Sequence, residues 1–239
     1  MASATAPDAP VSLRLGLVLA YPLLCHAASV ADAGSAGRWS ALALASLLLW
    51  CLLDGLWQRR LAPWLWLLAS GLLLAWVAGS PWAWMLLLAP PVVFPLWVAW
   101  LFARTLGAGR QPLIARIVDA VHHQAGMPVE PALERYVRRL TAAWALVLVV
   151  LSLVNLVLAL SVVPAGVLTG LGWQPWWPVS AVQWSWLANV ANWGLLGGFG
   201  LLEYGWRSWC FPLRPDRNLW HFARLMAGLG PAFWRDLLR

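Results

Sequence analysis

Long apolar runs separated by short polar stretches dominate the chain. Runs of about 20 residues, the length a helix needs to cross roughly 30 Å of hydrocarbon, occur near 13–31, 39–57, 62–79, 82–103, 140–163 and 184–204. The pattern predicts an all-α fold: a polytopic membrane helix bundle of about six transmembrane helices, in a single integral membrane domain over 1–239. The uncharged stretch 164–183 is interrupted by prolines and glycines and reads as a loop. Two sizeable polar parts remain, a loop over 104–139 and a tail over 205–239. In the loop, Pro112 is placed to open a helix whose Leu113, Ile114, Ile117, Val118 and Val121 share one face, with Arg116, Asp119, His122 and His123 opposite. In the tail, Asp216 is placed to cap a helix that turns Leu219, Phe222, Ala223 and Met226 inward, and Pro231 to begin a further turn. These short amphipathic helices are expected to lie along the interface with arginines at the phosphates. Simple coverage of the bundle is the open alternative.

Composition strengthens this picture. The chain is 62% hydrophobic and 10% charged, with a mean hydropathy of +0.72. A soluble domain of this size has too little interior to hide so much apolar surface. All 16 basic residues are arginines, against nine acids. Such a balance suits nucleic acid when it clusters on a soluble domain; here the arginines flank apolar runs, so phospholipid headgroups are the expected partner and nucleic acid is not. With the N-terminus inside, fifteen arginines fall on the inner side and Arg38 alone on the outer. By the positive-inside rule both termini are cytoplasmic. The 21 tryptophans agree. Trp39, Trp76, Trp82, Trp84, Trp173, Trp176, Trp177, Trp184 and Trp186 fall at the predicted outer boundary. Trp57, Trp64, Trp66, Trp97, Trp100, Trp144, Trp206 and Trp209 fall at the inner one, as an aromatic belt requires.

The first span has a rival reading, because Arg14, a short apolar core and Ala31-Asp32-Ala33 also fit a cleavable signal peptide. Cys25, Cys51 and Cys210 have neither disulfide nor metal spacing. The Leu before Cys25 does not fit a lipidation site.

Polar groups inside a bilayer are costly, so each is a candidate for function. Asn189, Asn192 and Glu203 share a face of the sixth span, and Thr141, Ser152 and Asn155 form a stripe on the fifth. Asn155 and Asn192 lie at similar depth, and a bond between them is expected as interhelical glue or as a seat for a polar ligand. Glu203 stands four residues before Arg207, in the favourable order for a helical ion pair, and Asp54 precedes Arg59 and Arg60 by about one turn. His26 reads first as a hydrogen-bonded core residue. Pro90, Pro91 and Pro95 in the fourth span remove backbone donors and predict a kink or break. There is no P-loop, Gly-x-Ser-x-Gly or His-Glu-x-x-His, so no catalytic residue, cofactor or metal is assigned.

Several stretches carry a resemblance: Pro90-Pro91-Val92, LFARTLGAGRQPLIARI (101–117), ERYVRRLTAAWAL (134–146), WSWLANVANW (184–193), EYGWR (203–207) and the tail FP…LGPAFWR. In these the chain resembles the inner-membrane proteins encoded within aryl-polyene pigment gene clusters, including the xanthomonadin type. The resemblance implies a bacterial inner membrane and a pathway that builds an aromatic-headed polyene on acyl carrier proteins and attaches it to lipid. Arg104, Pro112, Arg116, Arg138, Asn189 and Glu203 are the family-like residues, with no reaction attached to them. The chain departs from the family at Trp206-Arg207-Ser208-Trp209, where the family is richer in arginine. The expected function is a non-enzymatic membrane component of pigment biosynthesis. It would dock acyl carrier protein or soluble polyene synthases through inner-face arginines and hold a polyene-lipid or similar apolar product. A transporter or flippase for that lipid is the alternative, and an acyltransferase using His26 and Glu203 the third reading.

Overall fold

Hydrophobic runs that cannot stay in water, and whose backbone must bond to itself in lipid, have helix as their simple solution, and the computed structural model of the chain is an all-α helix bundle. It describes residues 9–78, 80, 82–164, 166–211, 215 and 218–237. The helices are α1 (Val11–Val30), α2 (Ala33–Trp57), α3 (Leu61–Val77), α4 (Trp82–Leu87), α5 (Pro90–Ala103), α6 (Leu113–Gln124) and α7 (Pro131–Ser161). After them come α8 (Val167–Gly170), α9 (Ala181–Ser185), a π-helical segment Trp186–Ala191, α10 (Asn192–Cys210), α11 (Leu219–Gly228) and α12 (Gly230–Leu237). Four helical stretches among the described residues are long and apolar enough to cross a membrane: Ser12–Val30, Gly34–Trp57, Met85–Leu106 and Pro131–Ser161. Leu61–Val77, at 17 residues, is shorter, about 25 Å at the α-helical rise. The predicted sixth span is present as helix, but its path runs through the π-helical segment.

By their contacts the residues form two units, Met1–Pro91 with Asn155–Ala191, and Val92–Val154 with Asn192–Arg239. In the first unit, α1 and α2 pack through small side chains: Cys25, Ala28, Ser40 and Ala43 are all buried. Lipid removes the hydrophobic drive for helices to associate, so close backbone approach and van der Waals contact carry such an interface. A Cβ added to Gly37 would lie 2.2 Å from the Ala78 carbonyl oxygen, and one added to Gly55 would lie 2.4 Å from Pro63 Cγ. Arg59, at φ 54°, turns the chain between α2 and α3, and the Arg60 N–H closes the turn on the Gly55 carbonyl at 3.0 Å. Leu87, Leu88, Val162, Val179, Trp184 and Ala188 complete the core. The predicted loop 164–183 is mostly irregular. Two short parallel strands, β1 (Val162–Val163) and β2 (Val179–Ser180), tie its ends together.

In the second unit, α6 packs Ala115 and Val118 against Leu133 and Val137 of α7, while Leu101, Leu113 and Leu237 form a further cluster. The Leu113 N–H, which has no partner inside its own helix, is taken by Thr105 Oγ1 at 2.9 Å. The helix ends at Gly126, φ 66°, whose left-handed turn lets Met127 N–H reach the His122 carbonyl at 3.0 Å. The tail helix begins not at Asp216, which lies outside the described residues, but at Asn218, whose side chain accepts from His221 N–H at 2.7 Å. An amide oxygen directly before the first turn meets that donor where Asp216, two residues earlier, was expected to.

The lipid-facing surface is broad. Leu61, Trp66, Trp76, Leu202 and Trp209 are each more than two-thirds exposed, which suits a hydrocarbon solvent and no aqueous one. Trp184 departs from the belt expectation: it is fully buried in the first core.

Candidate functional site

Within the second unit, α6, α7, α10 and α11 enclose a cavity of about 510 Å³, inside the roughly 300–1,000 Å³ of small-molecule sites. Its wall is mainly hydrocarbon, with Ile117, Val121, Leu140, Trp144, Phe222 and Met226 contributing from three helices. The space exists because α10 presents glycine to it. A Cβ at Gly197 would meet nothing within 4 Å, and one at Gly200 would rest 3.7 Å from the Trp144 ring. Trp144 is itself held edge-on by Phe199, ring centroids 4.7 Å apart.

One end of the cavity is polar. Arg207 Nε donates to Glu203 Oε1 at 3.0 Å, and both side chains are only about an eighth exposed (12% and 13%). The Tyr136 hydroxyl donates to the same Glu203 oxygen at 3.3 Å. The guanidinium lies over the Phe222 ring at 5.1 Å and the Tyr204 ring at 5.6 Å, so its faces meet π-electron density while its edge meets the carboxylate. Breaking such a pair strands a charge in low dielectric, at a cost of roughly 3–5 kcal/mol. His122 was expected on the solvated face of α6, yet it is buried and lines the cavity. Its Nδ1–H donates to the Val118 carbonyl at 2.9 Å, which satisfies one polar edge and leaves the ring as wall.

The other sequence-derived candidates are not among the residues lining this cavity. Arg104 stacks over Trp100 at 4.9 Å. Arg116 pairs with Asp236 of α12 at 2.6 Å, and Arg138 donates to the Leu106 carbonyl at 2.7 Å. Asn155 is fully buried in the first unit, and Asn192 opens α10 in the second. Asn189, also buried, donates to the Ser185 carbonyl at 3.0 Å across the π-helical turn. His26 corrects another expectation: it is exposed near the end of α1, not core. Its Nδ1 lies 3.5 Å from Ser185 Oγ, and its ring meets Trp186 edge-on at 5.9 Å. Asp54 pairs with Arg14, 40 residues away, in place of Arg59 or Arg60. The helix break is present, since α4 ends at Leu87 and α5 starts at Pro90. Pro90 and Pro91 sit in the first turn of α5, where no N–H is needed; Pro95 lies inside the helix. Ser152 Oγ donates to the nearby Val92 carbonyl at 2.7 Å.

A second, more open apolar depression of about 600 Å³ lies in the first unit beside Val157, Leu158, Trp177, Gln183 and Trp186. Neither cavity has Pro90, Pro91 or Pro95 in its wall. No group of three or more His, Cys, Asp or Glu among the described residues is placed to hold a metal. Comparison with protein-family models, curated proteins and solved structures finds no match to this chain.

Sequence reasoning missed the cavity. Its signal was present in the glycines of α10, Gly194, Gly197, Gly198 and Gly200, which read as a helix with room against one face.

Proposed function

We propose that the chain is a non-enzymatic membrane component of an aryl-polyene type pigment pathway, one that holds an apolar, chain-bearing product or intermediate in the bilayer. The observation that carries this reading is the cavity of about 510 Å³, walled by hydrocarbon and ending in the Glu203–Arg207 pair. A long apolar chain gains from such a wall, and a polar end fixes its direction. The host membrane in this reading is the bacterial inner membrane, with both termini and the loop 104–139 cytoplasmic. Arg110 and Arg138, exposed on that loop and on α7, then face soluble synthases or an acidic acyl carrier protein.

The test is a lipid extract and a purification in a pigment-producing host. Deleting the gene should stop lipid-linked pigment from accumulating, and full-length protein purified in mild detergent should carry visible polyene absorbance. The Gly197→Phe variant, which fills the cavity, should purify colourless. Normal pigment in the deletion strain sinks the reading. Pigment fully made but trapped in the inner membrane favours the flippase alternative.

A further inference from the structure

Among the described residues, the polar end of the cavity holds equal and opposite charge. Among the lining residues there is one carboxylate, Glu203, and one guanidinium, Arg207, and they are already closed on each other at 3.0 Å. The bonds they make to described residues use Glu203 Oε1 and Arg207 Nε. That leaves Oε2 as an acceptor and the terminal N–H groups as donors. A ligand with a net negative head must share Arg207 with Glu203, placing two anions side by side in a poorly solvated site; a cationic head meets the mirror-image conflict with Arg207. An uncharged head that both donates and accepts meets that oxygen and those N–H groups without disturbing the pair.

We infer that this cavity selects a single-chain amphiphile with an uncharged head that both donates and accepts hydrogen bonds, such as a hydroxyl or phenol, and discriminates against anionic and cationic heads on the same chain. The inference rests on the reading that the cavity binds an apolar chain. The Phe222 and Tyr204 rings under the guanidinium hold Arg207 in place, so among the described lining residues no second guanidinium is offered to a phosphate. Gly197 and Gly200 leave the chain's path open beside Trp144.

The test uses three diazirine-bearing probes with one alkyl chain in common: an alkylglycerol, an alkyl phosphate and an alkyltrimethylammonium. Each is photolysed with the full-length protein in nanodiscs, and labelled peptides are mapped by mass spectrometry. The alkylglycerol should label α6, α10 and α11 about tenfold more than either charged probe, the scale that like-charge conflict produces. Glu203→Gln should shift the preference toward the phosphate, and Arg207→Gln toward the ammonium. Gly197→Phe should remove the labelling, with Gly197→Leu as a second filler should the first fail to fold. A two-chain phosphatidylethanolamine added in excess should not compete; competition would identify the occupant as bulk lipid and overturn the single-chain claim. If the alkyl phosphate labels these helices as strongly as the alkylglycerol, the neutral-head inference is wrong while the binding reading stands. If no probe gives labelling that the Gly197 variants remove, both fall.

Discussion

Individual contacts in this chain were legible where partners lie on one helical turn and hidden where they do not. Glu203 and Arg207 sit four residues apart, so their pairing follows from helix geometry alone. Arg14 and Asp54 lie on different helices, and the nearer Arg59 and Arg60 masked the true partner. Steric demands behave likewise. Gly34 and Gly37 both lie in the first turns of α2, and nothing in the sequence separates them. Yet a Cβ at Gly34 meets open space, and one at Gly37 meets the Ala78 backbone at 2.2 Å. Backbone cannot move aside as a side-chain tip can, so Gly37→Ala should destabilise the first unit by about 1–3 kcal/mol. Gly34→Ala should leave stability unchanged or slightly higher. Thermal unfolding of both variants in the same detergent checks this, and equal melting temperatures would show that the close approach is not held in solution.

At the scale of elements, breaks that residues announce were read and breaks that only hydrogen bonding reveals were not. Pro90 and Pro91 mark the end of α4 and the start of α5 because no chain can place them deep in a helix without losing bonds. The π-helical turn at Trp186–Ala191 has no such marker, since its apolar periodicity differs little from that of an α-helix over six residues. Its entrance was legible in principle: Ser180 and Gln183 form a capping box, Ser180 Oγ accepting at 3.2 Å and Gln183 Oε1 at 3.0 Å. Asn189 then donates its amide to the Ser185 carbonyl within the widened turn. Ser180→Ala should cost about 1 kcal/mol as a lost cap. Asn189→Leu leaves that buried carbonyl without its side-chain donor and should cost about 1–3 kcal/mol. Hydrogen exchange over 181–192 should rise in both, reaching further along the π segment for Asn189→Leu. Protection unchanged by Asn189→Leu would mean that backbone bonding alone sustains the turn.

Across the whole molecule, the hydrophobic runs identified the helices because lipid demands one pattern of every span, whereas the cavity demanded something no single segment records. Helices from separate stretches of chain line it, and each contributes only an ordinary amphipathic or glycine-bearing face. The side of the membrane on which each end lies is likewise a property of the whole, resting on fifteen arginines against one. The native cysteines provide the check. Cys25 is buried in the first core, Cys51 is exposed on α2 six residues before its end, and Cys210 is exposed at the end of α10. A charged, impermeant maleimide needs an aqueous thiol that can ionise. Cys51 faces hydrocarbon in the proposed topology and should stay unmodified there, as should Cys25. Cys210 should therefore carry the label in inverted inner-membrane vesicles and be spared in intact spheroplasts, with Cys210→Ser abolishing the signal. Labelling of Cys210 from the outside would reverse the orientation, and with it the placement of the Arg-rich loop and of the polar end of the cavity, since Glu203 and Arg207 lie within two helical turns of that cysteine.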